Sequence, residues 1–282
     1  SYFSESKERN GDFQVNMNNG KIPTHVTGIV AGSSGVSIKS ADELNAMREA
    51  GKVVASVIFL LTNSVQPGLK TRNLDELAAK EIKRLGAKPA FLGYRGFPGT
   101  ICTSVNEEIV HGIPGERVLK EGDLVKVDVG AIVDGLYGDA AATLGVGNIS
   151  SKAEALINAT RASLNAGIMA VTAGVKLGDV GSAIQDYAEA RGYGVVREYV
   201  GHGIGRALHE DPQIPNYGEK GKGFTLKKGM AIAIEPMLNI GTWRTKVLKD
   251  QWTVISEDRS LSAHFEHSMI VTDGAAEILT VL

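Results

Sequence analysis

Apolar residues recur at helical spacing from residue 41 onward. One face of this predicted helix carries Leu44, Met47, Val54 and Ile58. Ser40 precedes the helix and Glu43 follows three residues later, which is the spacing of a capping box. A second helix is predicted from about residue 71 to 85, and Gly86 ends it. The patterned part of the chain therefore starts with two helices.

Beyond Gly86 the pattern changes to the short apolar runs that are typical of strands. The segments are AFLGY, TICTSVNEEIV, DLVKVDVGAIV and LYGDAAATLGV, separated by glycine and proline. The same order then recurs, with helices predicted at 151–172 and 177–191 and strands at 194–200, 230–235, 251–256, 264–271 and 276–281. Two helices followed by strands, used twice, predict an α+β fold of two related halves. Antiparallel sheet would lie inside, helices outside, and a site in the cleft between the halves.

A turn signal lies inside VKVDVGAIVDGLYGDAAATLG. Asp134-Gly135 favours a two-residue β-hairpin turn between the flanking strands. A turn centred there pairs Gly130 with Asp139 and puts Asp128 on the same face as Asp139, about 7–8 Å away at the backbone. The two carboxylates could then converge on one site. A bulge or a three-residue loop would reverse this parity, and aspartates near a hairpin are often turn or edge residues that face water.

Three more polar residues occur in segments whose composition indicates burial. His202 lies among glycines in GHGIGRALHE, Glu235 follows the apolar run MAIAI, and Glu266 lies in the strand-like AHFEHSMIVT. Any one of them alone could be an ordinary hydrogen-bonded or ion-paired residue. Together with Asp128 and Asp139, they make four carboxylates and one imidazole in apolar surroundings.

Burial of four carboxylates together requires positive charge nearby. Removing one carboxylate from water costs several kcal/mol or more, and about 20 kcal/mol by an idealised Born estimate. Two divalent cations would cancel the four charges. Because the donors are mostly oxygen, the pattern favours a dinuclear site for Mn, Fe, Co or Zn over a structural zinc site, which would favour cysteine ligands.

Composition narrows the class of protein further. The chain has 282 residues, a net charge of −2 and a pI near 6.3, which argues against DNA or an anionic membrane as a partner held by long-range attraction. No apolar run approaches the roughly 18 residues that span a bilayer. The single cysteine, Cys102, suits a reducing compartment. We therefore expect a cytoplasmic protein with no membrane partner.

The first 36 residues differ from the rest of the chain. They are rich in Asn, Gly and Ser, show no sustained periodicity and end near AGSSG. We expect an N-terminal extension with little regular structure over residues 1–36 and one folded domain over residues 37–282.

Several motifs, in order along the chain, resemble those of the methionine aminopeptidases, a group of M24 metallopeptidases. They are HGIP at 111–114, VDVG and GD around Asp128 and Asp139, GHGIGRALHE at 201–210, IEPM at 234–237 and AHFEHSMIVT at 263–272. The resemblance covers about residues 38 to 282 and implies the pseudo-twofold pita-bread fold, with residues 37–282 as the metallopeptidase catalytic domain. Only a short segment separates His209 from Glu235, so the chain resembles the type I enzymes rather than type II.

The resemblance also implies the roles of the metal ligands. Asp139 and Glu266 would bridge two divalent ions, and Asp128 would chelate one of them. His202 and Glu235 would bind the other ion. A hydroxide between the ions would be the nucleophile, and the ions would hold the free amine of the substrate, which restricts cleavage to the first peptide bond.

Two further histidines take part by the same resemblance. His111 would bond the scissile amide and assist the tetrahedral intermediate, while His209 would contact the substrate carbonyl or the same oxyanion. Glu235 would shuttle a proton, or would serve only as a ligand.

A closed apolar pocket for a methionine side chain is also implied. The family's pocket corresponds to Phe91, Tyr94, Phe97, Cys102 and Trp252, with Leu208 beside His209. Thioether sulfur packs well against aromatic rings. Without the resemblance, these residues would be interpreted as ordinary core.

The activity implied is removal of the N-terminal methionine from nascent proteins and peptides, by a monomer that works near the ribosome. Three alternatives stay open. A prolidase-like enzyme would share the fold and metals but cleave before proline, and a non-catalytic pita-bread protein would bind a partner. A cysteine hydrolase would pair Cys102 with His111.

Overall fold

A computed structural model describes residues 36–282. Apart from Val36, the extension predicted for residues 1–36 lies outside this range. The helices are α1 Ala41–Ser64, α2 Thr71–Arg84, α3 Ser151–Met169 and α4 Leu177–Glu189. The strands are β1 Lys88–Pro89, β2 Cys102–Val105, β3 Glu108–Val110, β4 Leu124–Val133, β5 Leu136–Gly145, β6 Gly194–Val195, β7 Gly201–Gly203, β8 Glu210–Ile214, β9 Ala231–Ile234, β10 Met237–Asn239, β11 Thr245–Val247, β12 Val254–Ser256, β13 Ser262–His264, β14 His267–Ile270 and β15 Glu277–Ile278. The order of two helices followed by strands occurs twice, as predicted.

Every strand pair within residues 36–282 is antiparallel. In the first half, β5 pairs with one edge of β4, and β1 and β2 share the other edge. The second half contains a five-stranded sheet in the order β15-β14-β9-β7-β8. Two small sheets, β13-β10-β6 and β11-β12-β3, complete the set. Helix α1 packs on β4 and β5, and α3 packs on β13 and β10, so the helices cover the sheets from outside.

Helix α1 begins as the sequence predicts. The Ser40 hydroxyl accepts the backbone N–H of Glu43 at 3.2 Å, and the Glu43 carboxylate accepts the backbone N–H of Ser40 at 3.0 Å. These two bonds complete a capping box. On the buried face, Gly51 allows a close approach to the C-terminal segment, since a Cβ there would stand 2.2 Å from the carbonyl oxygen of Leu279. None of the described helices is long and apolar enough to cross a membrane.

The hairpin β4–β5 has the predicted register. Asp128 lies opposite Ala141, so Asp128 and Asp139 share one face of the sheet. Asp134 and Gly135 form the turn, with φ angles of 50° and 78°. These left-handed angles are those of a type I′ turn, whose twist matches that of the flanking strands.

The free edge of β5 connects the two halves of the molecule. Ala141 and Glu266 exchange two backbone hydrogen bonds, of 3.2 and 3.0 Å. Beside them, the Ser268 hydroxyl donates to the carbonyl oxygen of Asp139 at 2.6 Å and accepts its N–H at 3.1 Å. We refer to this contact between β5 and residues 264–268 as the inter-half junction.

A buried lysine adds a second connection between the halves. The ammonium of Lys126, on β4, donates to the carbonyl oxygens of Asn106 and Ser262 at 2.8 and 2.9 Å. Burial lowers the pKa of Lys126 to about 7. Two carbonyl dipoles replace the water that this ammonium has lost.

Two strands change sheet at the same place in the second half. β9 belongs to the five-stranded sheet and β10 to a three-stranded one, and only Glu235 and Pro236 separate them. Likewise, Phe265 and Glu266 separate β13 from β14. The single strand predicted over residues 264–271 is therefore two strands, because its partner also leaves the sheet at this point.

The prediction of a strand at AFLGY is wrong. The chain bends at Gly93, where φ is 78°, and Tyr94–Gly96 form a 3₁₀ turn. The residues that pair with β4 here are Lys88–Pro89, just before this segment, and not the segment itself. Ala90, Phe91 and Tyr94 of this segment contribute to a cluster of side chains instead of a sheet, while Leu92 is exposed.

Other strand boundaries also differ from the prediction. The strand expected at 194–200 pairs only over Gly194–Val195, and the one expected at 251–256 pairs only over Val254–Ser256. Strands β1, β7, β8, β10 and β11 were not predicted. Each is at most five residues long, too short for a clear period, so pairing with other strands decides its conformation.

We predict that Gly135→Ala lowers the free energy of unfolding by about 1–2 kcal/mol, the usual cost of a left-handed non-glycine residue. No atom lies within 4 Å of a Cβ built at Gly135, so the effect would be purely conformational. Gly274→Ala is the matched control, because this position is equally open and has no positive φ. Urea unfolding of both variants measures the difference. Equal stabilities would contradict the prediction.

Candidate metal centre

The structure brings the five predicted metal ligands together. Two overlapping groups form, and within each group one ligand atom per residue lies within 4.8 Å of the others. The groups are Asp139, His202 and Glu266, and Asp128, Glu235, His264 and Glu266. None of these residues is more than 2% exposed, so the interpretation of the two aspartates as solvent-facing turn residues is wrong.

His202 lies on β7 and faces the carboxylates. Its Nδ1 is 2.8 Å from the carbonyl oxygen of Gly203, and because a carbonyl only accepts, this nitrogen carries a proton. The other nitrogen, Nε2, is 3.5 Å from Asp139 Oδ2, 3.6 Å from Glu266 Oε2 and 3.7 Å from Glu235 Oε1. A hydrogen bond from one ring nitrogen to a carbonyl oxygen, like that of Nδ1 here, commonly fixes the ring of a histidine whose other nitrogen binds a metal.

The two glutamates reach the cluster from the place where the strands change sheet. A residue that lies outside a regular ladder can direct its side chain away from the alternation of the strand. The backbone of Glu235 is held there by Asn216, whose amide donates to the Glu235 carbonyl oxygen at 3.2 Å. The backbone of Glu266 is held by Ala141 in the inter-half junction. Both carboxylates are therefore fixed by their main chains.

The closeness of the acidic groups changes their protonation. Burial, with a contribution from the charge of Asp139, raises the pKa of Asp128 to about 6. Burial likewise raises the pKa of Glu235 to about 7, and it raises that of Glu266. For His202, burial acts against protonation, but hydrogen bonding to Asp139 and Glu266 raises its pKa to about 10. The cluster thus retains protons at neutral pH that a cation would replace.

The donor set fits a metal centre. Carboxylate oxygens with one or two imidazoles suit divalent ions such as Mn, Fe, Co or Zn. Glu266 belongs to both groups of ligand atoms, and a shared carboxylate is what two neighbouring ions require. The buried negative charge gives the cluster a physical reason to take up cations.

His264 is a member of the cluster that the sequence analysis did not identify. Its Nε2 lies 3.0 Å from Glu235 Oε2, and its side chain is 1% exposed. The sequence contained a signal, because His264 stands two residues before Glu266 and alternate residues of a strand share a face.

His111 occupies an unusual backbone conformation near the centre. Its φ is 64°, which non-glycine residues rarely adopt. The ring is buried against Tyr199, with 5.6 Å between the ring centres. Burial, with an influence of His264, lowers the pKa of His111 well below its usual value, so the imidazole is neutral. The next residue, Gly112, allows a close approach to Thr103, whose carbonyl oxygen would stand 2.0 Å from a Cβ.

His209 lies beside His202, with 4.4 Å between the ring centres. The hydroxyl of Tyr94 is 2.8 Å from Nδ1 of His209. The neighbouring Glu210 fixes the loop through an ion pair of 2.6 Å with the buried ammonium of Lys39. The histidine is therefore held at the edge of the metal centre.

The residues predicted to form a pocket lie in one apolar cluster. Its buried members include Phe91, Phe97, Cys102 and Leu208, and Tyr94 and Trp252 pack against them. The rings of Phe97 and Trp252 meet edge to face with centres 5.2 Å apart. Cys102 lies opposite Asp128 in the pairing of β2 with β4, so the cluster adjoins the metal centre.

Cys102 is poorly suited to act as a nucleophile. Burial and the nearby charge of Asp128 raise the pKa of its thiol well above the usual value. The thiolate is the reactive form of cysteine. The alternative of a cysteine hydrolase therefore lacks its attacking group.

Comparison with known proteins identifies the family of this chain. Residues 45–273 match the model of metallopeptidase family M24. The chain belongs to this family. A methionine aminopeptidase of Clostridium acetobutylicum is 48% identical over 247 residues, which cover 87% of this chain and 99% of that protein. The crystal structure of a methionine aminopeptidase from Thermotoga maritima has a TM-score of 0.86 at 47% identity and covers 88% of this chain and 100% of its own.

A more distant neighbour shares the fold alone. A prolidase from Pyrococcus furiosus has a TM-score of 0.72 at 22% identity and covers 87% of this chain and 65% of its own. These comparisons confirm the predicted family and the pita-bread α+β fold. As expected for type I, the described residues between His209 and Glu235 contain no helix.

We predict that the metal-free protein binds Mn²⁺ more tightly as pH rises from 6 to 8. The pKa values of Glu235 and His202, about 7 and about 10, mean that an ion must displace protons, and each proton released makes affinity rise up to about tenfold per pH unit. Titration calorimetry in two buffers of different ionisation enthalpy counts these protons. An Asp128→Asn control should bind less tightly. Affinity that is independent of pH, with no proton release, would contradict the prediction.

Proposed function

We propose that this chain is a methionine aminopeptidase, which removes the N-terminal methionine from nascent proteins and peptides. The observation that carries this proposal is a buried cluster of carboxylates and histidine that adjoins an apolar, aromatic cluster. Relatives at 48% identity over nearly their whole length are named methionine aminopeptidases. The prolidase neighbour has only 22% sequence identity to this chain, so the aminopeptidase is favoured over the prolidase.

The proposed cofactor is a pair of divalent ions from among Mn, Fe, Co and Zn. Asp139 and Glu266 would bridge them, Asp128 would bind one, and His202 and Glu235 would bind the other. The presence of Glu266 in both ligand groups supports its bridging role. When bound, the ions polarise the scissile carbonyl, lower the pKa of water and hold the free amine of the substrate.

The histidines around the centre supply hydrogen bonds to the reacting amide. The Tyr94 hydroxyl lies 2.8 Å from Nδ1 of His209, and with the hydroxyl as donor the imidazole proton would be on Nε2, where it can donate to the carbonyl oxygen of the first residue. His111, kept neutral by burial, would bond the scissile amide and assist the tetrahedral intermediate. Glu235, with a pKa raised to about 7 by burial, can hold a proton on its carboxylate and pass it to the leaving amine. The alternative for Glu235 is a role as ligand only.

The apolar cluster would receive the methionine side chain. Sulfur contacts with aromatic rings contribute about 0.3–1.5 kcal/mol each. Phe97 and Trp252 are fixed edge to face, so the pocket would be rigid before substrate arrives. Trp252 is only partly buried, which suits a residue at the mouth of the pocket.

A non-catalytic binding protein is the remaining alternative. Such a protein would be expected to lose ligands. Here all five predicted ligands lie buried in one place, which favours an enzyme.

The cellular setting is part of the proposal. We propose a cytoplasmic monomer that acts near the ribosome, where N-terminal methionines emerge. The lone, buried Cys102 suits a reducing compartment. We propose further that residues 37–282 are the catalytic domain and that residues 1–36 are an extension outside it.

We predict that the metal-stripped protein regains release of methionine from Met-Ala-Ser when Mn, Fe, Co or Zn is added back. X-Pro peptides should remain intact, because the proposed pocket selects the first side chain. Release of free amino acids, measured by chromatography, reports both reactions. Cleavage before proline would identify a prolidase, and no turnover with any metal would favour the binding protein.

We predict that Trp252→Ala raises KM for a methionyl peptide about 10–100-fold, the equivalent of about 1–3 kcal/mol of lost apolar contact. Metal content should change little, because the indole lies in the apolar cluster and not among the ligands. The control is Trp243→Ala, which removes the other tryptophan, located against Arg197 and Arg244. If Trp252→Ala lost metal to the same degree as it raised KM, the pocket role would be refuted.

A further inference from the structure

We propose that His264 is a positioning residue of the metal centre, which orients the carboxylate of Glu235 toward the ions. The proposal rests on the proposed role of Glu235 as a metal ligand. Nε2 of His264 is 3.0 Å from Oε2 of Glu235, and both side chains are buried to within 1%. Because both side chains are withdrawn from bulk solvent, this hydrogen bond is stronger than one in water, and it orients the carboxylate of Glu235.

The two oxygens of Glu235 have different partners. Oε2 is 3.0 Å from Nε2 of His264, and because an ionised carboxylate that binds an ion can only accept, this nitrogen would donate; Oε1 is 3.7 Å from Nε2 of His202. Rotation of the carboxylate about its last torsion would exchange the two oxygens, and this torsion is intrinsically soft. The imidazole of His264 removes that freedom. One oxygen is thereby kept facing the cluster.

His264 can perform this task because its own backbone is held from both halves of the molecule. Its N–H donates to the Thr143 hydroxyl at 2.9 Å, and that hydroxyl donates to its carbonyl oxygen at 2.8 Å. On the opposite side, His264 pairs with Met237 of β10. Because the backbone of His264 is hydrogen-bonded on both sides, its imidazole is held in one place and can orient the carboxylate of Glu235.

The identity of the imidazole nitrogen that contacts Glu235 distinguishes a positioning role for His264 from direct binding of an ion. Nε2 is already at hydrogen-bond distance from a carboxylate oxygen, while Nδ1 is buried and has no hydrogen-bond partner among residues 36–282. A nitrogen that donates a proton to Glu235 has no lone pair left for an ion. The geometry therefore assigns His264 to the carboxylate and not to the metal.

The test uses three substitutions at this position in the full chain. The amide nitrogen of glutamine can occupy the place of imidazole Nε2, whereas that of asparagine falls near the place of Nδ1 and cannot reach Glu235. His264→Gln should therefore retain the bond, while His264→Asn and His264→Leu should lose it. His267→Gln is the matched control, because this half-buried histidine lies in the next strand and bonds Thr280 at 2.7 Å instead of a carboxylate.

Binding of Mn²⁺ and Co²⁺ is measured by titration calorimetry, and the Co²⁺ complex by its visible absorption spectrum. We expect His264→Asn and His264→Leu to weaken ion binding about 10–100-fold, as for other residues that orient a ligand. His264→Gln should stay within about threefold of the unsubstituted protein and keep its Co²⁺ spectrum. Circular dichroism verifies folding, and if His264→Leu does not fold, the comparison of Asn with Gln decides.

Two results would overturn the proposal. Unchanged affinity in His264→Asn would show that the bond does not orient Glu235. Weak binding in His264→Gln together with an altered Co²⁺ spectrum would make His264 a direct ligand. Methionine release by the unsubstituted protein is assayed in parallel. Failure of release with intact ion binding would contradict the proposed function alone, while absence of ion binding would contradict both.

Discussion

Backbone hydrogen bonds between β5 and residues 264–268 hold the two halves of the molecule together and determine the shape of the metal centre. Ala141 and Glu266 are the central pair of this inter-half junction. Asp139 stands two residues before Ala141 on the same face, so the pairing brings a carboxylate from each half to one point. A slip of one residue would turn the side chains of one strand to the opposite face. The register of a few hydrogen bonds thus fixes the separation of charges that would otherwise repel.

In the second half of the molecule, two glutamates from apolar strands direct their side chains into the cluster of carboxylates. Regular pairing would keep Glu235 in the alternation of β9 and Glu266 in that of β14. Both strands instead leave one sheet and enter another at these residues. The interruption costs ladder hydrogen bonds, some of which are replaced by Asn216 and by β5. A simultaneous break in two neighbouring strands supplies both carboxylates to the same cavity.

Local signals allowed much of this arrangement to be predicted. The two-residue turn at Asp134-Gly135 fixed the parity of the hairpin, so the shared face of Asp128 and Asp139 followed from the sequence. The change of sheet at Glu235 did not, because it depends on a partner strand about 30 residues later and on no local residue preference. The apolar run AFLGY looked like a strand, but the left-handed Gly93 within it bends the chain, and Ala90, Phe91 and Tyr94 pack in a cluster instead. His264 was missed because a single histidine among stronger motifs carries little weight until its neighbours are known.

The two aspartates and the two glutamates of the cluster lie far apart in the sequence, which matters for how the site assembles during folding. The hairpin that carries Asp128 and Asp139 needs only contacts close in sequence, and such contacts form early. Glu266 reaches β5 only after the intervening strands have found their places. Until then the two aspartates have no histidine or second pair of carboxylates beside them, so an ion would meet an incomplete set of donors. The complete set of donors therefore exists only where the two halves have paired, and binding of a cation would favour the folded chain over a partly assembled one.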